Sequence, residues 1–139
     1  MLLMMLILPA AHASADSDVA SDSVIDQAAA HYAAANYDLA IELLETAVQA
    51  DPGCAACAHQ LGRAYGRLAE NVNWIAAVRL AKKSRLAFEN AVELDPHNAQ
   101  ALEDLIRFYR DAPGFLGGDE EKANNLDSRL RRLRASQTG

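Results

Sequence analysis

The sequence predicts an all-α protein built from antiparallel helix pairs that stack on one another. Residues 44–55, LETAVQADPGCA, return as residues 88–99, FENAVELDPHNA. An apolar helix end followed each time by Asp-Pro indicates a helical repeat, because proline cannot continue a helix and stops each unit at the same place. The alanine-rich, glycine-poor composition also favours closely packed helices.

Charged residues are unevenly distributed along the sequence. The formal net charge is −6, yet residues 1–62 contain eight acidic residues and no Lys or Arg, whereas the remainder contains thirteen basic and eleven acidic residues. This asymmetry affects solubility and the approach of partners, not the fold. The acidic balance argues against nucleic-acid binding.

Residues 1–15 have the pattern of a secretory signal peptide. An apolar run, MLLMMLILP, is followed by small residues at alternate positions, which predicts cleavage after Ala13 or Ala15. The run is too short to cross a bilayer as a permanent helix, so no stable membrane span is expected in the mature form. No Lys or Arg precedes the run, which leaves open an apolar N-terminal helix that stays attached.

Residues 16–22 are rich in Asp, Ser and Ala and are interpreted as a polar linker. The first helix pair is predicted at residues 23–35 and 37–50. Between them lies Asn36, a residue that tolerates left-handed geometry in a tight turn.

The helix predicted at residues 55–68 contains the most specific motif of the sequence. It reads Leu61-Gly62-x-x-Tyr65, in which glycine permits close helix approach and tyrosine fills the space beside it. The pattern continues with Phe88, Ala91 and Pro96.

With these residues the protein resembles the tetratricopeptide repeat family. The resemblance implies a short right-handed solenoid over residues 23–139, with three repeats at about residues 23–52, 55–96 and 99–135. It also implies a concave groove lined by the first helix of each repeat.

Two segments depart from the repeat pattern. Pro52 and Pro96 are 44 residues apart, whereas the usual period is about 34. The extra residues, 71–80, are predicted to extend the second helix of the second repeat so that it protrudes. In the third repeat, residues 112–118, APGFLGG, replace a short turn.

In this loop, Gly117 and Gly118 are expected to adopt positive φ angles, and Phe115 with Leu116 to pack back onto the stack. An exposed apolar contact loop is the alternative. The loop, together with GRAYGR at residues 62–67, resembles a family of small exported bacterial tetratricopeptide proteins. That resemblance implies a periplasmic or secreted location and adds no assigned activity.

Cys54 and Cys57 are the candidates for reactivity. In an exported protein the spacing favours a disulfide, while two reduced thiols or a redox couple remain open. Metal binding needs further ligands, and His59 alone is insufficient. Covalent haem attachment would need His directly after Cys57, where Ala58 stands. No metal and no cofactor is therefore predicted.

The candidate partner-binding residues lie on the first helices of the second and third repeats. Arginines one turn apart are neighbours on a helix and can hold carboxylates in a bidentate fork. Such a stripe favours an acidic peptide or the carboxyl terminus of a partner. The six residues are His59, Arg63, Arg67, Glu103, Arg107 and Arg110.

In the alternative interpretation, Glu103, Asp104 and Asp111 neutralise part of this stripe by pairing within their own helix. The sequence contains no nucleophile elbow, no phosphate-binding loop and no His-Glu-x-x-His motif. It therefore predicts a non-catalytic protein-interaction module of the periplasm or cell envelope, with a protein or peptide partner. A small-ligand carrier or transporter accessory subunit is the first alternative, and a thiol–disulfide redox protein the second.

Overall fold

A computed structural model describes residues 13–139, with side chains from residue 19 onward. This part of the protein contains six α-helices, one short 3-10 helix and no strand. The helices are α1 (Ala13–Ala33), α2 (Tyr37–Ala50), α3 (Ala55–Ala69), α4 (Trp74–Leu94), α5 (Ala99–Asp111) and α6 (Glu120–Thr138), with the 3-10 helix at Gly114–Leu116.

The helices stack in sequence order. Each helix packs on the next one along the sequence, α1 also reaches α3, and the most extensive contact joins α3 to α4. Because the turns between partners are short, neighbouring helices run antiparallel. The predicted all-α fold of stacked helix pairs is confirmed.

Two apolar clusters form the core. The first joins α1, α2 and α3 around Leu44, Leu61 and Tyr65, and the second joins α4, α5 and α6 around Phe88 and Leu102. Ala58 of α3 belongs to the second cluster, and Leu80 and Ala87 of α4 pack against the first. The central pair α3–α4 therefore holds the two clusters together.

Gly62 sets the distance between α3 and α4. A Cβ atom at this position would lie 2.6 Å from a ring carbon of Phe88, which is closer than real contacts allow. The Ser84 hydroxyl donates a hydrogen bond to the Gly62 carbonyl oxygen at 2.7 Å. Glycine is thus required for the close approach that its motif predicts.

The 44-residue spacing of the repeat recurs in two hydrogen bonds between tyrosine and glutamate side chains. Tyr65 of α3 donates to Glu45 of α2, and Tyr109 of α5, 44 residues later, donates to Glu89 of α4 at 2.6 Å. Burial and the adjacent carboxylate raise the pKa of both tyrosines, which therefore remain protonated donors.

The predicted extension of α4 is confirmed. The helix begins at Trp74, capped by the Asn73 side chain, and is 21 residues long, compared with 14 for α2. Its first turn extends into solvent, and Trp74 is 74% exposed.

The interpretation of residues 16–22 as a linker is corrected by the structure. These residues are helical, because α1 begins at Ala13. Alanine favours helix and no Gly or Pro interrupts the segment. Residues 1–12 lie outside the described part of the protein, so the signal peptide stays a prediction.

The turn between α1 and α2 also differs from expectation. The left-handed residue is Ala35, with φ of 60°, whereas Asn36 has φ of −83°. The Asn36 amide donates to the His31 carbonyl and the Ala35 amide to the Tyr32 carbonyl. This is the bonding of a Schellman motif, whose geometry decides which residue turns left-handed.

The loop after α5 confirms one expectation and overturns two. Gly117 has φ of 101°, as predicted, but Gly118 does not have a positive φ. A Cβ on Gly118 would lie 1.7 Å from the Ala112 carbonyl oxygen, so close backbone approach explains that glycine. The expectation that Phe115 packs onto the stack is wrong, because this side chain is 71% exposed.

We expect Gly117→Val and Gly118→Val each to lower the free energy of unfolding by roughly 1–3 kcal/mol. Valine resists the positive φ of Gly117 and would collide with the Ala112 carbonyl at position 118. Gly114→Val is the matched control in the same loop, since a Cβ there meets no atom within 4 Å. Equal midpoints of thermal unfolding for all three variants would contradict the assigned constraints.

Candidate binding cleft

The six candidate residues do not form one continuous stripe in the structure. Arg63, Arg67 and Arg107 line a common cleft. His59 points into the core, and Glu103 and Arg110 form ion pairs with α6.

The cleft lies on the face made by α1, α3 and α5, and we call it the α3–α5 cleft. It has a volume of about 450 Å³, with Phe88 and Ser84 of α4 as its inner wall. Tyr32 of α1 and Phe108 of α5 add aromatic surface at its sides. The cleft therefore combines basic and aromatic side chains from successive first helices.

Tyr32 holds two of the arginines in place. The guanidinium carbon of Arg63 lies 4.9 Å from the centroid of the Tyr32 ring, within cation–π range. Arg67 donates from Nε to the Tyr32 hydroxyl at 3.3 Å and from Nη1 to Glu70 at 3.1 Å. Sequence reasoning missed Tyr32, although its place on the first helix of a repeat was a usable signal.

Arg107 is the most accessible cation of the cleft. Its side chain is 70% exposed, and its Nη1 lies 3.6 Å from Oδ1 of Asp104, one turn earlier on α5. An ion pair this exposed contributes little to stability. The Arg107 guanidinium is consequently available to an incoming carboxylate.

Acidic residues also line the cleft. Glu70, Asp104 and Asp111 stand beside the three arginines. Asp104 has a partner on another helix, because its Oδ2 lies 2.8 Å from Nε2 of His59 on α3. Its ion pair with Arg107 within α5 is longer, at 3.6 Å. The predicted neutralisation within α5 is thus partly replaced by an inter-helix bond.

The His59–Asp104 bond is structural. His59 is buried, and its Nε2 lies against Oδ2 of Asp104. Burial alone would raise the pKa of the Asp104 carboxyl, but the His59 hydrogen bond and charge, with Arg107 and Arg63, outweigh it and lower that pKa. His59 is therefore not a surface residue of the cleft.

Glu103 and Arg110 belong to the contact between α5 and α6. Glu103 pairs with Arg134. Arg110 lies 3.9 Å from Glu120 and 3.7 Å from Asp127. Their positions on α5 direct them away from the α3–α5 cleft.

Cys54 and Cys57 stand at the start of α3. The structure joins them in a disulfide with a Cα–Cα distance of 5.3 Å. The Cys54 sulfur accepts a hydrogen bond from the Cys57 amide at 3.2 Å and so caps the helix. Asn98, 44 residues later, caps α5 in the same way, through the amide of Ala101. Cys54 is thus the N-cap residue of α3.

Within residues 13–139, no three His, Cys, Asp or Glu side chains are grouped as metal ligands. In the same part of the protein, every helix is too short or too polar to traverse a lipid bilayer.

Comparison with known proteins supports the repeat fold. No protein-family model matches the sequence, and no curated protein matches it. A solved structure of a human IFIT1 dimer with PPP-AAAA is similar over 79% of this protein and 25% of the IFIT1 chain, with a TM-score of 0.68 and 26% identity. The MamA RS-1 ArsTM double mutant is similar over 84% of this protein and 57% of its own length, with a TM-score of 0.66 and 23% identity.

Both proteins are helical repeat proteins of the tetratricopeptide type. The predicted tetratricopeptide solenoid is therefore confirmed. The protein spans only about a quarter and just over half of the two matched chains.

We expect Asp104→Ala to lower the free energy of unfolding at neutral pH by about 1–3 kcal/mol, because buried His59 loses its partner. The carboxyl pKa is lower in the folded than in the unfolded state, so its contribution is present above the unfolded value, near 3.8, and fades as the pH falls through the folded value. The difference from the wild type should accordingly shrink below about pH 4.

Urea unfolding at several pH values measures this effect. Asp111→Ala is the control, since Asp111 is an exposed carboxylate on the same helix that also lines the cleft. A pH-independent loss for Asp104→Ala, or an equal loss for Asp111→Ala, would refute the assigned role.

Proposed function

We propose that this protein is a non-catalytic interaction module that binds an acidic or C-terminal peptide in the α3–α5 cleft. One observation carries the proposal: Arg63, Arg67 and Arg107 come from two successive first helices and line one cleft with aromatic side chains. Tetratricopeptide-type folds typically serve as protein-interaction scaffolds, which supports a protein partner.

The chemistry of the cleft suits a carboxylate. Arg107 is exposed, and Arg63 is held over the Tyr32 ring, which keeps its fork ordered before a ligand arrives. Preordered guanidinium groups bind carboxylates with less loss of conformational entropy. Phe108 offers apolar contact to a side chain next to the bound carboxylate.

A small-ligand carrier, the first alternative, would favour an enclosed apolar cavity. The α3–α5 cleft is instead lined by three arginines and three acidic residues. Its composition supports recognition of a charged peptide over retention of an apolar ligand.

Charge reversal tests the binding site. We expect a glutamate-rich peptide with a free C-terminus to bind more tightly than its glutamine-substituted, amidated counterpart, and added salt to weaken that binding. Arg63→Glu with Arg107→Glu should weaken binding at least about tenfold while leaving the circular dichroism unchanged. Fluorescence anisotropy of the labelled peptides measures both effects.

The matched control is Arg131→Glu with Arg132→Glu. It makes the same change in net charge on exposed residues of α6, outside the cleft. Equal loss of binding in both double variants would assign the effect to overall charge, and undiminished binding by the cleft variant would assign it to another surface.

We also propose that the protein is exported to the periplasm or secreted. The apolar run at residues 1–9 and the small residues that follow support export. The intact mass of the protein recovered from an expressing cell should show loss of the first 13 or 15 residues. A full-length species confined to the cytosol would contradict export.

A further inference from the structure

Three large apolar side chains are exposed where α4 begins. They are Val72, Trp74 and Ile75, which are 37%, 74% and 59% exposed. We call these three residues the apolar tip. Large exposed apolar side chains grouped in this way mark an interaction surface.

The tip extends beyond the neighbouring loop. The 3-10 turn after α5 contacts α4, and the Arg85 side chain lies beside Gly117. Trp74 is eleven residues before Arg85, so it lies about 16 Å further along the helix axis. The exposed Phe115 belongs to that turn and not to the tip.

The segment behind the tip is basic. Residues 72–88 contain Arg79, Lys82, Lys83 and Arg85 and no acidic residue. Lys83 and Arg85 pair with carboxylates of α2 and α4. Arg79 and Lys82 are exposed and form no ion pair with any residue that the structure describes.

Three acidic residues at this end have partners within the protein. Glu70 pairs with Arg67, Glu120 lies near Arg110, and Asp119 caps α6 through the Lys122 amide. Asp111 and Glu121 are exposed. Both belong to α5 and α6 and not to the protruding turn of α4.

We propose that the apolar tip anchors the protein to the surface of an anionic phospholipid bilayer. Trp74 and Ile75 enter the interfacial layer, where an indole ring is favoured, while Arg79 and Lys82 contact the lipid phosphates. The tip is a protrusion and not a flat face, so it is better suited to insertion than to the roughly 800 Å² per partner that a stable protein interface buries.

This site is separate from the α3–α5 cleft, whose lining includes none of the three tip residues. A result that contradicts one proposal therefore leaves the other unaffected.

Trp74 is the only tryptophan of the sequence, so its fluorescence reports directly on the tip. The full-length protein should show a blue shift of emission, and quenching by brominated lipid, with vesicles of equal parts phosphatidylcholine and phosphatidylglycerol. Both signals should weaken with pure phosphatidylcholine or with added salt. Quenching locates Trp74 itself, so an insertion through the apolar residues 2–8 would not imitate it.

Ile75→Asp should reduce the partition coefficient about tenfold or more. This variant should still fold, because an aspartate in the first turn of a helix is favourable. Leu86→Asp is the matched control on the same helix, since Leu86 is 56% exposed and lies outside the tip. Arg79→Gln with Lys82→Gln should remove the preference for anionic lipid.

Unchanged Trp74 emission and no co-sedimentation with anionic vesicles would overturn the proposal. Equal weakening by Ile75→Asp and Leu86→Asp would also overturn it. A dimer in sedimentation velocity that Ile75→Asp dissociates, without vesicle binding, would assign the tip to a second copy of the protein instead.

Discussion

The close approach of α3 and α4 at Gly62 is the constraint on which the rest of the stack depends. The Phe88 ring occupies the space where any other residue would place its Cβ, and Ser84 fixes the register through the Gly62 carbonyl. Since α3 and α4 contribute to both apolar clusters, the spacing of this pair sets the positions of α2 and α5. A change at this contact would be transmitted in both directions along the stack.

The α3–α5 cleft is a consequence of that packing. α3 and α5 both lie against α4, and the His59–Asp104 bond ties them to each other. In this bond His59 is buried and the Asp104 carboxylate is largely covered. Arg63 and Arg107 are left facing the open cleft. Buried and solvent-facing polar residues thus alternate on the same two helices, because successive turns of one helix meet different surroundings.

The cleft and the apolar tip differ in chemistry and in origin. The cleft is charged and arises where first helices stand side by side. The tip is apolar and arises from the added turns at the start of α4. The arginines of the cleft and the residues of the tip lie outside the two core clusters, so the apolar packing of the repeats does not depend on them. Under the two proposals, one face of the protein binds a peptide while the tip contacts a membrane.

The sequence by itself determined the repeats, the extension of α4 and the positive φ of Gly117, because prolines, helical periodicity and glycine act locally. The tertiary structure alone decided that Tyr32 reaches across to two arginines and that His59 points inward. It also decided that Phe115 faces solvent. Periodicity tells which residues share a face of a helix, but which part of that face is covered depends on the distance and angle of the neighbouring helices, and these follow from packing between residues far apart in the sequence.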